Sequence, residues 1–266
     1  MTPLLAVYAF LLGAIVGSFL NVVIHRYPAG LSIVSPPSSC PGCGHRIRAW
    51  DNIPVLSYLM LRARCRDCGD GISLRYPLIE LVNGLFFLAV YFHTGPRMSF
   101  FPLAAIVSMT VVLMYIDLDI QILPDVIDIP GIAIGLLMGW RHVGDIHPNL
   151  VLAGSLVDSA AGALLGSGML LSVAVIYKFL RKVDGMGMGD VKMLAMIGAV
   201  VGWRAVLPVV FLASITGAIF GVLMSIRSRE GLKFAVPFGV FLGLGFLIVI
   251  FFGHTLLQWY SSLLLV

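Results

Sequence analysis

The chain has 266 residues, of which 59% are hydrophobic and only 11% charged, with a mean hydropathy of +1.02; a soluble domain carries about 25% charged residues. That composition excludes a soluble globular enzyme and a disordered tail, and implies an all-α polytopic membrane protein, because a helix satisfies its own backbone in lipid. The net charge of +4 suits anionic lipid, so no nucleic-acid partner is implied.

In chain order, residues 2–24 form an apolar run of spanning length. No basic residue precedes it and no small-residue cleavage site follows, so it reads as a retained first helix. Residues 25–76 are polar and rich in Pro, Gly, Cys and Arg. A stretch that irregular leaves backbone groups unpaired in lipid, so it forms an insert outside the bilayer. Further spans follow near residues 77–91, 100–116, 126–140, 150–180, 191–202, 205–226 and 235–252, making about eight transmembrane helices. The division is therefore 1–24 first helix, 25–76 insert and 77–266 a seven-helix core.

Lys and Arg accumulate in loops that stay in the cytosol. With the insert inside, fourteen of the 17 basic residues face the cytosol, and only Arg97, Arg141 and Arg204 face the other way. Both termini then lie outside. The same orientation places Asp117, at the exit of the third span, and Asp190, at the start of the sixth, on the cytosolic side. The fourth and sixth spans are short for a hydrocarbon layer of about 30 Å, and Pro124, Pro130, Gly185, Gly187 and Gly189 flank or interrupt them. Short, broken helices border wet cavities.

Two runs carry ionisable groups at span ends. One is Gly185-Met186-Gly187-Met188-Gly189-Asp190-Val191-Lys192; the other is Ile116-Asp117-Leu118-Asp119-Ile120-Gln121-Ile122-Leu123-Pro124-Asp125. Acids at membrane depth are costly and functional more often than not. Two carboxylates brought close cannot both ionise, so one keeps a proton while the other activates water, which is the chemistry of aspartic proteolysis. Asp119, Asp125, Asp128 and Asp184 lie nearby, and Asp119 or Asp125 serves this chemistry as well as Asp117 on spacing alone. The glycines at 185, 187 and 189 let an extended substrate approach their backbone and can adopt positive φ. Lys192 either leans over the site or, as favoured here, reaches toward lipid headgroups. Asn21 sits in an apolar run as a link between helices, and Glu80 is open to either a structural or a functional reading.

The insert holds Cys40-Pro41-Gly42-Cys43 and Cys65-Arg66-Asp67-Cys68, two Cys-x-x-Cys pairs separated by 21 residues. Four thiolates so spaced form the tetrahedral set of structural Zn²⁺, and a cytosolic side disfavours disulfides. A closed four-sulfur site leaves no open position for water, so such a metal folds the insert and does not hydrolyse substrate.

These motifs, with Gly17-Ser18-Phe19-Leu20-Asn21-Val22-Val23-Ile24-His25-Arg26, Trp50-Asp51-Asn52-Ile53-Pro54, Ser57-Tyr58, Arg75-Tyr76-Pro77 with Glu80, and Pro237-Phe238-Gly239, resemble the bacterial type IV prepilin leader peptidases, membrane aspartic proteases of the GxGD class. The resemblance places the catalytic pair on Asp117 and Asp190. It implies a multi-pass protein of the bacterial inner membrane that removes the short basic leader of prepilins and pseudopilins after a glycine at the cytosolic face. It also implies N-methylation of the new terminus with S-adenosylmethionine as methyl donor, through residues the sequence does not identify. Two rival readings remain at this stage. One is a Mg²⁺-dependent prenyl- or phosphotransferase using Asp117, Asp119 and Asp125; the other is an ion transporter with the acids as its path.

Overall fold

The computed structural model describes residues 3–183, 187–227 and 237–264. Its helices are α1 (Pro3–Arg26), α2 (Leu56–Met60), α3 (Arg75–Thr94), α4 (Phe100–Ile120), α5 (Asp125–Trp140), α6 (Val143–Ile146), α7 (Leu156–Arg181), α8 (Met188–Val201), α9 (Trp203–Arg227) and α10 (Phe238–Leu264), with a 3₁₀ turn at Ala49–Asn52. Among the described residues no β-strand forms; the only β pairings are two isolated bridges in the insert. Among the described residues, a helix forms within each of the eight expected spans. Six of them, α1, α3, α4, α7, α9 and α10, are long and apolar enough to cross a bilayer, so the protein is an integral membrane protein.

The other two, α5 and α8, have 16 and 14 residues, short of the ~20 that a crossing needs. A helix that short persists at membrane depth when protein rather than lipid surrounds it. Every residue of α8 from Met193 to Val201 is buried. The expected span at 150–180 begins only at Leu156, because Ser155 caps the helix by accepting the Asp158 N–H at 3.1 Å. The residues before it are not helical: the Val151 N–H donates to the Ile250 carbonyl and the Ala153 N–H to the Val200 carbonyl.

The chain forms two compact units, Met1–Ser108 and Met109–Val266. In the first, α1 lies against α3 along Gly13 and Gly17. A Cβ at Gly17 would stand 2.7 Å from the Glu80 Cα, and one at Gly13 would stand 2.8 Å from the Asn83 carbonyl oxygen. Small residues at this spacing let helix backbones close together in lipid. Asn83 Nδ2 then reaches the Gly13 carbonyl at 2.7 Å, Ser108 Oγ donates to Asn83 Oδ1 at 3.0 Å, and Asn21 Nδ2 donates to the Tyr76 carbonyl at 3.1 Å. Asn21 thus links helices, as its position in an apolar run suggests.

In the second unit, α8 is enclosed. Gly162 of α7 meets Gly198 of α8 backbone to backbone, while Gly131 and Gly135 of α5 abut Met196 and Ala199 of α8. Ser159 Oγ donates to the carbonyls of Gly135 and Ala199, joining α5, α7 and α8 at one point.

The α1–α3 contact has a direct test. Gly17→Ala forces Cβ into the Glu80 backbone and destabilises by roughly 1–3 kcal/mol, the usual cost of overpacking. Gly168→Ala meets nothing within 4 Å and is neutral or stabilising. Thermal unfolding in detergent distinguishes the two.

Candidate active site and metal centre

Asp117 sits in the last turn of α4 rather than beyond the span, and is buried. Its Oδ2 accepts the Val240 N–H at 3.1 Å. Val240 is the third residue of α10, and first-turn N–H groups of a helix have no partner within it. The carboxylate therefore fills a requirement that the helix start creates. Beside it, a Cβ on Gly239 would stand 2.9 Å from Asp117 Oδ2 and 3.1 Å from Leu123 Cδ1.

Leu123 also reaches the other motif. A Cβ on Gly189 would stand 2.7 Å from the Leu123 Cβ. Asp190 follows directly, in the first turn of α8. Leu123 thus packs on Gly189, which precedes Asp190, and on Gly239, which adjoins Asp117, and the two carboxylates are near enough for their charges to interact. Their surroundings differ: Asp117 holds a backbone N–H, whereas Asp190 Oδ1 is buried with no hydrogen-bond partner among the described residues.

Gly187 is the extended residue ahead of α8, and Gly189 is already helical. Neither has positive φ. What Gly189 supplies is room for Leu123, not an unusual backbone. Gly185, grouped with them on sequence, lies outside the described residues, as does Asp184.

Lys192 does not reach for headgroups. Its Nζ lies 2.7 Å from both carboxylate oxygens of Asp125, because the packing of α5 on α8 brings their first turns side by side. Asp128, one turn after Asp125, is fully buried, and neither of its oxygens has a hydrogen-bond partner among the described residues. Its charge environment includes Asp125, Lys192 and Asp190. Sequence reasoning undervalued Asp128, Leu123 and Gly239. The i, i+3 spacing from Asp125 was the only signal for Asp128, and Pro237-Phe238-Gly239 was the signal for the third.

The second cluster is in the insert. The sulfur atoms of Cys40, Cys43, Cys65 and Cys68 all lie within 4.8 Å of one another, and the cysteines are unbridged. Cys40 Sγ and Cys68 Sγ are 3.8 Å apart, about the edge of a tetrahedron whose centre lies 2.3 Å from each sulfur. Each pair rides on the same small turn. The Cys40 N–H donates to the His45 carbonyl and the Gly44 N–H to the Cys40 carbonyl; the Cys65 N–H donates to the Asp70 carbonyl and the Gly69 N–H to the Cys65 carbonyl. Gly44 and Gly69 close these turns with φ of +73° and +75°, conformations that glycine adopts without strain. The backbone N–H groups of Cys68 and Asp67 pull the Cys65 thiol down to about 7, toward the thiolate that binds metal, while burial and the neighbouring thiols push Cys43 and Cys68 the other way. The cluster can hold a metal ion. Arg66 binds Asp51 through both carboxylate oxygens at 2.6–3.2 Å and keeps that carboxyl below its usual range, bracing the second turn against the 3₁₀ turn.

Two family models match the chain: the bacterial peptidase A24 N-terminal domain over residues 11–94 and the type IV leader peptidase family over residues 104–222. Among curated proteins, the chain is 43% identical over 222 residues to a prepilin leader peptidase/N-methyltransferase of Myxococcus xanthus (strain DK1622), covering 84% of this chain. The alignment spans 64% of that relative's length, less than two thirds. It is 36% identical over 276 residues to the protein of that name from Burkholderia pseudomallei (strain 1026b), covering 92% of this chain and 85% of the relative. With the one from Aeromonas salmonicida (strain A449) the identity is 35% over 286 residues, covering 96% and 94%. No solved structure matches the chain.

Proposed function

Because the chain belongs to the type IV leader peptidase family, we propose that it removes the short basic leader of prepilins and pseudopilins, with Asp117 and Asp190 as the catalytic pair. The observation that supports this reading is that Leu123 packs both on Gly189, beside Asp190, and on Gly239, beside Asp117, with the two acids near enough for their charges to interact. One carboxylate is charged and takes a proton from water as the water oxygen bonds to the scissile carbonyl carbon. The other, protonated, donates to the carbonyl oxygen. The tetrahedral intermediate then collapses: the C–N bond breaks, and the amine leaves with a proton returned from the pair. Unlike surroundings, a backbone N–H on Asp117 and a buried bare oxygen on Asp190, suit two acids that divide these tasks. Gly187 and Gly189 line the approach of an extended substrate backbone, while Gly185 lies outside the described residues.

The reading places the protein in the bacterial inner membrane, with the site at the cytosolic face and both termini outside. A prepilin there presents its basic leader in the cytosol and its apolar helix in lipid, so the scissile bond arrives at the depth of the acids. Residues 25–76 form the cytosolic module and 77–266 the peptidase core. The Mg²⁺-dependent transferase is not favoured. Asp125 is neutralised by Lys192, and the four cysteines are the only metal-capable group among the described residues. The ion-transporter reading is not favoured either: Asp117 accepts the Val240 N–H, and Glu80, the buried acid of the first unit, accepts the Val55 N–H, so both are tied into the fold.

The sulfur geometry fits Zn²⁺, which would be held by Cys40, Cys43, Cys65 and Cys68 and would fold the insert without touching substrate. The relatives' names include N-methylation, for which S-adenosylmethionine supplies the methyl group. In the insert, Ser38, Arg46, Arg48, Trp50 and Asn52 line a cavity of about 580 Å³, within the ~300–1,000 Å³ range of small-molecule sites. An indole face, guanidinium groups and an amide there fit a purine, a carboxylate and ribose hydroxyls, so these residues would hold the donor.

Three outcomes follow. Asp117→Asn and Asp190→Asn each lower leader removal from a membrane-embedded prepilin by at least about 10³-fold, as loss of one member of an interdependent pair does, while thermal stability holds; survival of cleavage in either variant ends the assignment at that residue. Metal analysis of the purified chain finds one Zn²⁺, and Cys65→Ser lowers that occupancy while far-ultraviolet circular dichroism keeps its helical signal. Trp50→Ala weakens binding of S-adenosylhomocysteine measured by calorimetry, and lowers methylation read by mass while leader removal continues.

A further inference from the structure

The insert is polar in composition, yet one part of it turns apolar side chains outward. In α2, Leu56, Leu59 and Met60 share one helix face and are 55%, 64% and 75% exposed, while Ser57 on the other face is buried. Ile53 just before and Leu74 just after the second knuckle are exposed as well. A contiguous apolar face of this kind marks an interaction surface rather than a solvated one.

The level of that face along the membrane helices is set by a single bond. The Val55 N–H donates to Glu80 Oε2 at 2.8 Å, and Glu80 is buried five residues into α3, against Gly17 of α1. Helical side chains lean toward their own N-terminus, so the turn preceding α2 rests within roughly one helical pitch, about 5.4 Å, of the start of α3. Val55 itself has φ +61° and ψ −48°. For a β-branched residue this is an outlier, which persists only where the surroundings impose it. Ser57 Oγ receives the Ile53 N–H at 2.8 Å and donates to the Trp50 carbonyl at 3.0 Å, fixing the rest of the turn.

We propose that α2 is an interfacial helix, with Leu56, Leu59 and Met60 seated in the bilayer at the face where α1 ends and α3 begins. The occupant of the apolar face is lipid. Arg62 and Arg64 follow α2 directly and are exposed, and Arg75 opens α3; three cations at this level complement anionic headgroups. An apolar face buried 5–10 Å with a cationic rim is how interfacial helices bind. The same cations disfavour a basic leader. The seat does not depend on the peptidase reading; it needs only that α1 and α3 cross the membrane. It corrects the expectation that all of 25–76 stands clear of the bilayer, and it holds the cysteine knuckles against the membrane surface.

The test uses the full chain in nanodiscs of phosphatidylcholine and phosphatidylglycerol, with p-benzoylphenylalanine replacing Leu59. Position 175, exposed on the spanning helix α7, serves as lipid-facing reference, and position 67, exposed in the second knuckle, as water-facing reference. On illumination, a phospholipid adduct at 59 as abundant as that at 175 is expected. An adduct yield at 59 no greater than that at 67 overturns the proposal. So does an adduct at 59 that is lost to a protein cross-link when a prepilin is added, which assigns the face to substrate. The replaced side chain is exposed, so each reading comes from a folded protein, checked by the unfolding midpoint.

Discussion

A polar group carried into the apolar layer must find its partner within the protein, because no water waits there to replace one. Asp117 and the start of α10 meet that demand for each other. The carboxylate near the end of α4 takes the Val240 N–H, which the helix itself cannot use. This bond ties the end of one spanning helix to the start of another and holds the acid in a defined place. Around it, α8 can be only 14 residues long and still reach the site, since protein surrounds it on every side from Met193 onward.

The insert follows a different rule. Of its 52 residues, 25–76, only Cys40 and Ser57 are fully buried, so it has no hydrophobic core to offset the entropy of ordering. Cross-linking has to supply what burial does not. A structural Zn²⁺ held by the four cysteines would contribute an apparent binding energy of about 10–16 kcal/mol, ample for two small turns. The Arg66–Asp51 pair, the Glu80–Val55 bond and the Ser57 bonds then orient the module, and none of them needs a core.

Much of this was legible in the sequence. Spanning helices are read from length and apolarity, and a helix forms in each of the eight expected stretches, although only six are long enough to span; the acids stood out at span ends, and the cysteines by spacing. The rest depended on contacts that periodicity does not encode. A membrane helix is apolar all round, so no stripe says which side faces protein. The Asp117–Val240 bond joins residues 123 apart in the chain, and the Lys192–Asp125 pair joins residues 67 apart. Asp128 looked like any other interfacial acid until α5 packed on α8. The late start of α7 reflects Ser155, a capping residue hidden inside a long apolar run.

Leu123 shows why glycine, an acid and a loop leucine form one constraint. The residue nearest a Cβ at Gly189 is Leu123, and a Cβ at Gly239 would meet both Leu123 and Asp117. Enlarging either glycine pushes the leucine, which packs on the start of α8, where Asp190 sits, and on the start of α10, which Asp117 binds. At Gly189 the nearest atoms are Leu123 Cβ and Cα, which move only with the loop itself, so even one methyl group is not absorbed by a side-chain rotation. The glycine before Asp190 is therefore required by packing even though its backbone is an ordinary helix.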